Sequence, residues 1–327
     1  MMHSKHPGID RRDFLIYGTA FAAIQNAQAS TYPAKPLKLI VPWPAGGGGD
    51  QVGRAVAAYL AKQWRQPVYV ENVSGAGGTI GAQQLVRAPA DGYSLLLSTS
   101  STNSAGPHLY KGLRFDPVAD FTPVVSVAVI PSLLVVGPRS PYQTAEQLIA
   151  AARAKPGQLN FASGGVGQSG HLAGALFKSL LGLDVTHVPY KGAAPALADI
   201  MGGQADFVFD TGAYAHAMSG SVRPLAVAAS ARHRMMPNVP TLEELGVKGM
   251  VMTTWYGISG PAGLPKDIVE KLNATINQGL ASGELSKPLE SIGGQPSGGS
   301  VAEFNAFWRT ELKRYGDIVK LAGATLE

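Results

Sequence analysis

The chain has 327 residues, enough for two domains, with 45% apolar residues, 15% charged residues and a formal net charge of +5. The positive charge is not gathered into Lys/Arg runs with interleaved aromatics, which argues against nucleic acid as a partner; the absence of cysteine excludes disulfides, thiolate metal sites and cysteine nucleophiles. No HExxH, EF-hand or paired-carboxylate spacing occurs, so the class left is a soluble globular protein with no metal or cofactor motif.

Residues 1–29 read as an export segment. Lys5, Arg11 and Arg12 make a basic start, Phe14 to Ile24 is an apolar run too short to stay in a bilayer, and Ala27-Gln28-Ala29 is a small-residue cleavage site. Arg11-Arg12-Asp13-Phe14-Leu15 resembles a twin-arginine signal, with an ordinary secretory peptide as the alternative. Either places the remaining chain outside the cytoplasm and not embedded in the membrane.

The folded chain opens with Leu37 to Val41, an apolar run of strand length stopped by Pro42 and Pro44. Gly46 to Gly49 follow, and Asp50 is placed to cap a helix carried by Val52, Ala55, Val56, Tyr59 and Leu60. A strand, a glycine turn and a helix start leave backbone N–H groups pointing at one spot with the positive end of the helix dipole behind them, which favours an anion. Pro67 to Glu71 alternates like a strand, Ile80 to Val86 is helical, and Tyr93 to Leu97 is a strand ending in the hydroxyl-rich stretch Ser98 to Asn103. In a parallel α/β sheet that stretch lies beside the glycine turn, where ligands sit; a solvated turn before a capped helix is the alternative.

From Phe121 to Val136 two apolar runs follow one another, interrupted by Pro131, and are expected to form two strands crossing from one lobe to another. A second βα series then begins: helix 145–154, strand 159–162, and the run Ser163-Gly164-Gly165-Val166-Gly167-Gln168-Ser169 leading into a helix with Leu172, Ala173, Leu176 and Phe177 inward. This repeats the first junction. Strand 185–188 ends at Pro189-Tyr190-Lys191-Gly192 before a helix through Leu197 and Ile200, and strand 205–209 ends at Asp210. Val222 to Ala228 is a further strand, Thr241 to Leu245 a short capped helix, and Met250 to Ser259 a returning crossover strand. Helices 265–280 and 301–321 are amphipathic and are expected to pack on the first lobe.

Reactive side chains are poorly supported. His171 has no acidic partner nearby, so capping or packing is favoured over catalysis, and neither Ser163 nor Ser169 forms G-x-S-x-G after a strand. Lys191 reads as a solvated lysine, Tyr190 as a cleft wall, and Asp210 either takes a ligand hydroxyl or amine or caps the next helix. Two helix starts in separate lobes, facing each other, can hold a carboxylate through backbone N–H groups and waters, with lobe closure as the conformational step.

Taken together, Pro42-Trp43-Pro44-Ala45-Gly46-Gly47 with Asp50, Gly165-Val166-Gly167 with His171-Leu172, Val188-Pro189-Tyr190-Lys191-Gly192, Gly220-Ser221-Val222-Arg223-Pro224-Leu225, Pro237-Asn238-Val239-Pro240-Thr241 and Trp255 to Gly263 make a specific pattern. The chain resembles the extracytoplasmic solute receptors of tripartite tricarboxylate transporters, also called Bug receptors. The resemblance implies an α/β, two-lobed periplasmic binding protein (type II, Venus flytrap) with two crossover segments. Residues 30–126 would form lobe 1, 127–250 lobe 2, and 251–327 the return to lobe 1.

The resemblance also implies a carboxylate-bearing metabolite as ligand, gripped by the loops Trp43–Gly49 and Ser163–Ser169 and delivered to membrane transporter subunits. The candidate ligand-binding set is Trp43, Pro44, Ala45, Gly46, Gly47, Asp50, Ser98, Ser100, Asn103, Ser163, Gly165, Gly167, Gln168, Ser169, Tyr190 and Asp210, on a monomer with no catalytic residue, cofactor or metal. Trp43 stands where phenylalanine is commoner, Gln168 where a small hydroxyl residue is usual, and Thr211 where asparagine is expected; these touch the part of the site that selects the ligand's far end. An exported hydrolase or transferase on the same scaffold, and a ligand sensor for a signalling partner, are the rival readings.

Overall fold

A computed structural model describes residues 32–324; the export segment lies outside the described residues. In the first half, β1 (Leu37–Val41), α1 (Gly48–Trp64), β2 (Val68–Asn72), α2 (Thr79–Val86) and β3 (Ser94–Thr99) form a parallel unit with β1 between β2 and β3. β1 and β3 are covered on both faces, which is why they read as apolar runs, whereas β2 at the sheet edge alternates and leaves Tyr69 exposed. The short helix α3 (Gly106–Leu109) follows a buried π-helical turn over Ser100–Ala105.

The second half repeats the pattern with α4 (Ala145–Ala154), β5 (Asn160–Ser163), α5 (Ser169–Leu181), β6 (Thr186–Pro189), α6 (Ala193–Gly202) and β7 (Phe207–Asp210); β5 lies parallel between β6 and β7. α7 (Tyr214–Met218) and β8 (Arg223–Ala228) complete it.

Between the halves runs β4 (Phe121–Val136), a single strand of 16 residues where two were expected. Its first part pairs antiparallel with β9 (Thr253–Pro261), and Leu133 to Val135 pair with β7. Pro131 does not break it because Pro131 is opposite Thr253, the first residue of β9, so its missing N–H falls where β4 changes partners. The next residue resumes the bonding, with Ser132 donating to the Met252 carbonyl at 2.8 Å. β9 also pairs with β3, so both connections between the lobes are strands of one sheet ordered β2-β1-β3-β9-β4-β7-β5-β6, with β8 and a late strand β10 (Gln295–Gly298) also on β4.

Two further expectations are corrected. Thr241 to Leu245 makes the bonds of a capped start, with the Thr241 hydroxyl accepting from Glu244 N–H at 3.0 Å and the Glu244 carboxylate from Thr241 N–H at 2.9 Å, yet forms only a turn. Gly246, at φ +85°, closes it before a helix can run. The helix α10 (Val301–Leu321) does not pack on the first lobe alone. Phe304 and Trp308 pack with Ile40, Leu96 and Trp255, whereas Tyr315, Ile318 and Val319 join Leu172 and Phe177 of the second half. A 21-residue helix is about 30 Å long, enough to brace both. α8 (Lys266–Ser282) packs on α1 and β4, as expected of a first-lobe helix, and α9 (Ser286–Ser291) follows it.

Phe304 is 1% exposed and its ring fills the space beside Gly257, where a Cβ would lie 2.2 Å from its Cζ. Phe304→Ala should therefore cost about 3–5 kcal/mol, read as a lower denaturant midpoint in urea unfolding.

Candidate functional site

Three helices begin at one place, and none carries a side-chain cap. Gly47 precedes α1 in extended backbone (φ −83°, ψ 172°), Gln168 precedes α5 in nearly the same conformation (φ −75°, ψ 162°), and Gly192 precedes α6 at φ +122°. Two other helices do carry such a cap, α4 from the Thr144 hydroxyl and α10 from a Ser300/Glu303 capping box; what sets the starts of α1, α5 and α6 apart is that they meet at one cavity. A serine or threonine at position 168 would reach its own helix's N–H groups; the longer Gln168 sends its Nε2 to the Gly164 carbonyl instead, at 2.6 Å. The N–H groups at the starts of α1, α5 and α6 are thus left for something else.

The halves meet closely here. A Cβ at Gly48 would lie 2.8 Å from Thr211 Oγ1 and 3.3 Å from the Gly212 nitrogen, and one at Gly192 would lie 3.2 Å from Pro44 Cγ. The cavity between them, of about 40 Å³, is lined by Trp43, Pro44 and Gly47 to Gly49 from the first half. Gln168, Ser169, Ala193, Asp210 and Thr211 line it from the second, and Ser101, Thr254 and Tyr256 close it from the region of β3 and β9. It adjoins a wider depression of about 440 Å³ that shares Trp43, Pro44 and Gln168 and adds Gly165 and Tyr190.

Of the sequence candidates, Trp43, Pro44, Gly47, Gln168, Ser169 and Asp210 line the cavity, and Gly165 and Tyr190 the mouth, where the Tyr190 hydroxyl donates to Asp199 Oδ2 at 2.7 Å. The others lie elsewhere. Ala45 and Gly46 are in the loop but not in the lining, and Gly46 packs toward Ala194. Asp50 is not the N-cap: it is the third helical residue, 3% exposed, and accepts from Gly46 N–H (3.0 Å), Arg54 Nε (2.8 Å) and Asn72 Nδ2 (2.9 Å). Burial works to raise the Asp50 pKa, but the bonds from Arg54, Gly46 and Asn72 with the Arg54 charge outweigh it and hold the carboxyl below its ordinary value. Its capacity is spent on shaping the loop.

Ser98 bonds Ser259 at 2.7 Å, and the Asn103 side-chain oxygen accepts from Thr99 N–H at 3.1 Å. Together with Ser100 these residues are fully buried, so the stretch is neither a solvated turn nor, Ser101 apart, a cavity wall. Gly167 sits against Tyr110, and Ser163 is tied to His187 Nε2 at 2.7 Å. Ala193, Ser101, Thr254 and Tyr256 are cavity residues outside the candidate set, whereas Thr211, marked in the sequence as touching the ligand's far end, does line the cavity. Ala193 follows a recognised glycine turn and had a signal; Thr254 and Tyr256 sit in a strand of ordinary composition and had none.

Among the described residues no Lys, Arg or His lines the cavity. Its one carboxyl, Asp210, is pushed up to about 6 by burial, with the Gly212 N–H bond pulling the other way. Behind the second loop, Phe161, His187 and His171 form a stack with centroids 4.7 and 4.3 Å apart, and Gly167 N–H donates to His171 Nδ1 at 3.2 Å. Burial pushes both histidines down, and His187, beside His171, falls to about 4.

Two α/β lobes joined by strands and closing on a cavity at helix starts define a periplasmic solute-binding protein of the Venus-flytrap class. The chain belongs to the tripartite tricarboxylate transporter receptor (TctC) family, whose model matches residues 52–324. It is 36% identical to protein BugT of Bordetella pertussis over 302 residues, 91% of this chain and 93% of that protein. The structure of Rpa4515 from R. palustris with adipate aligns at TM-score 0.87 with 34% identity, covering 90% of this chain and all of that one. MatC from Rhodopseudomonas palustris with bound malate aligns at 0.82 with 31% identity, covering 88% and 100%. Among the described residues no helix is long and apolar enough to cross a membrane.

The stacked histidines carry a pH dependence. Held neutral when folded, they take up protons on unfolding, so their contribution is complete above the unfolded value near 6.5. It is lost as pH falls toward the folded value of about 4 for His187. The melting temperature should drop across that window, and His187→Phe, which keeps an aromatic ring in the stack, should flatten the profile relative to the native chain by on the order of 1–2 kcal/mol.

Proposed function

We propose that this protein is an exported receptor that closes on the carboxylate of a small organic acid and delivers it to a tripartite tricarboxylate-type membrane transporter. The observation that carries the reading is the convergence of three uncapped helix starts on a cavity with no basic side chain. Each helix start acts as roughly half a positive charge, and a hydrogen bond to an ionised oxygen contributes about 1.5–3 kcal/mol. Several such bonds support micromolar affinity, about 8 kcal/mol, after the costs of association. The adipate and malate held by the two R. palustris relatives are both carboxylates.

The receptor acts as a monomer and performs no chemistry. Among the described residues the Ser163–His187 pair is the one hydrogen bond between a serine hydroxyl and a histidine ring; no carboxylate bonds to that histidine, and neither residue lines the cavity. Residues 30–126 with 251–327 make one lobe and 127–250 the other. Support for that division comes from β4, which changes partners at Pro131, and from β9, which starts at Thr253. Closure brings Gly48 against Thr211 and Gly212, and reopening releases the cargo to the transporter.

Native mass spectrometry of the mature protein, followed by a thermal-shift screen of mono-, di- and tricarboxylates, should find a carboxylate that raises the melting temperature. A shift with neutral sugars or cations alone would overturn the reading. Gly48→Val should weaken that carboxylate by at least about tenfold, or 1.4 kcal/mol, because the side chain holds the lobes apart. The melting temperature of the unliganded variant should stay close to that of the native chain.

A further inference from the structure

The helix starts account for one negative charge on a ligand and leave two cavity groups unused. The first is the Asp210 carboxyl at the end of β7. Its Oδ1 accepts from Gly212 N–H at 2.6 Å, and among the described residues its Oδ2 takes no hydrogen bond. The second is Thr254 on β9, 3% exposed, whose Oγ1 is buried without any partner. A buried polar atom left unpaired is costly, and such atoms in a binding cavity are commonly completed by the ligand. Of the other hydroxyls in the lining, those of Tyr256 and Thr211 bond each other at 3.2 Å.

We propose that Asp210 and Thr254 form a second subsite that reads a hydrogen-bond donor, so that the receptor takes short monocarboxylates bearing a hydroxyl or ammonium group in preference to dicarboxylate dianions. This rests on the preceding reading, that a carboxylate sits at the helix starts, and adds what the rest of the ligand must be. An ionised carboxylate only accepts, so Oδ2, on a half-buried residue of the cavity lining, is open to a donor; a ligand hydroxyl can donate to it while accepting from Thr254 Oγ1. A second ligand carboxylate would meet the Asp210 charge with no cationic side chain in the lining to offset it, and so must share a proton with it. The cavity of about 40 Å³ has room for roughly three waters at 10–15 Å³ each, which favours a short ligand.

The groups packed around Asp210 are few. β9 presents the Tyr256 hydroxyl, β4 places Leu133 opposite in the strand pairing, and α1 contributes backbone at Gly48 beside Gly212. Asp210 is therefore the cavity carboxyl that titrates, and burial has already moved it up to about 6.

The test is calorimetric titration of the mature protein with lactate, alanine, propionate and succinate. At about pH 8, lactate or alanine should bind at least about tenfold tighter than propionate, which lacks the donor, and than succinate. Which of the two leads tells hydroxyl from ammonium. Succinate should tighten by about tenfold toward pH 5, as the shared proton becomes available. Asp210→Asn should reduce the lactate-to-propionate ratio below about threefold and admit succinate at pH 8. Thr254→Val, close in shape, should weaken lactate and leave propionate unchanged, and it carries the test if Asp210→Asn fails to fold. Equal binding of lactate, alanine and propionate, tightest binding of succinate at pH 8, or ratios unmoved in both variants would overturn the proposal while leaving a carboxylate receptor. Binding of no carboxylate at all would overturn the preceding reading and this one with it.

Discussion

Three helix starts are held open toward a single cavity, and much of the molecule exists to keep them there. A helix start ordinarily satisfies its N–H groups with a Ser, Thr, Asp or Asn side chain, as Thr144 and Ser300 do here. Gly47 and Gly192 have no side chain to offer, and Gln168 directs its amide to its own loop. The same lack of Cβ atoms lets the lobes approach, with Gly48 meeting Thr211 and Gly192 meeting Pro44. Open helix starts and close approach thus rest on one chemical feature.

The loops that carry these helix starts are stiffened from behind by different means. In the first lobe, the Asp50 carboxylate gathers Gly46 N–H, Arg54 and Asn72 around itself. In the second, the Ser163–His187 bond and the His171–Gly167 bond do equivalent work, backed by a ring stack on Phe161. The first arrangement keeps its charge at ordinary pH, because its hydrogen bonds favour the ionised form. The second depends on two neutral rings, so the lobes respond differently to acid.

The strands β4 and β9 carry the relation between lobes. Because β4 is one continuous strand belonging to both halves, the lobes are joined through sheet hydrogen bonds rather than a flexible linker. α10 crosses the same junction, with Trp308 in one core and Tyr315 in the other. Opening and closing must then be a bend concentrated where the strands change partners, around Pro131 and Thr253.

Local pattern determined a good deal by itself. Apolar runs of strand length, glycine turns and helical spacing marked both βα junctions, because these signals act over a few neighbours and survive without knowledge of the fold. That is why Trp43, Pro44, Gly47, Gln168 and Ser169, which line the cavity, were legible as candidates. Tertiary structure decided what depends on distant partners. Pro131 lies within a strand because its missing N–H falls at a change of pairing, and Thr241 starts no lasting helix because Gly246 closes the turn. Asp50, Ser163 and Asn103 face inward to support loops, since each finds a backbone or side-chain partner there. Thr254 and Tyr256 reach the cavity only because β9 pairs with β3 and β4 at once, a placement set by packing across more than a hundred residues of chain.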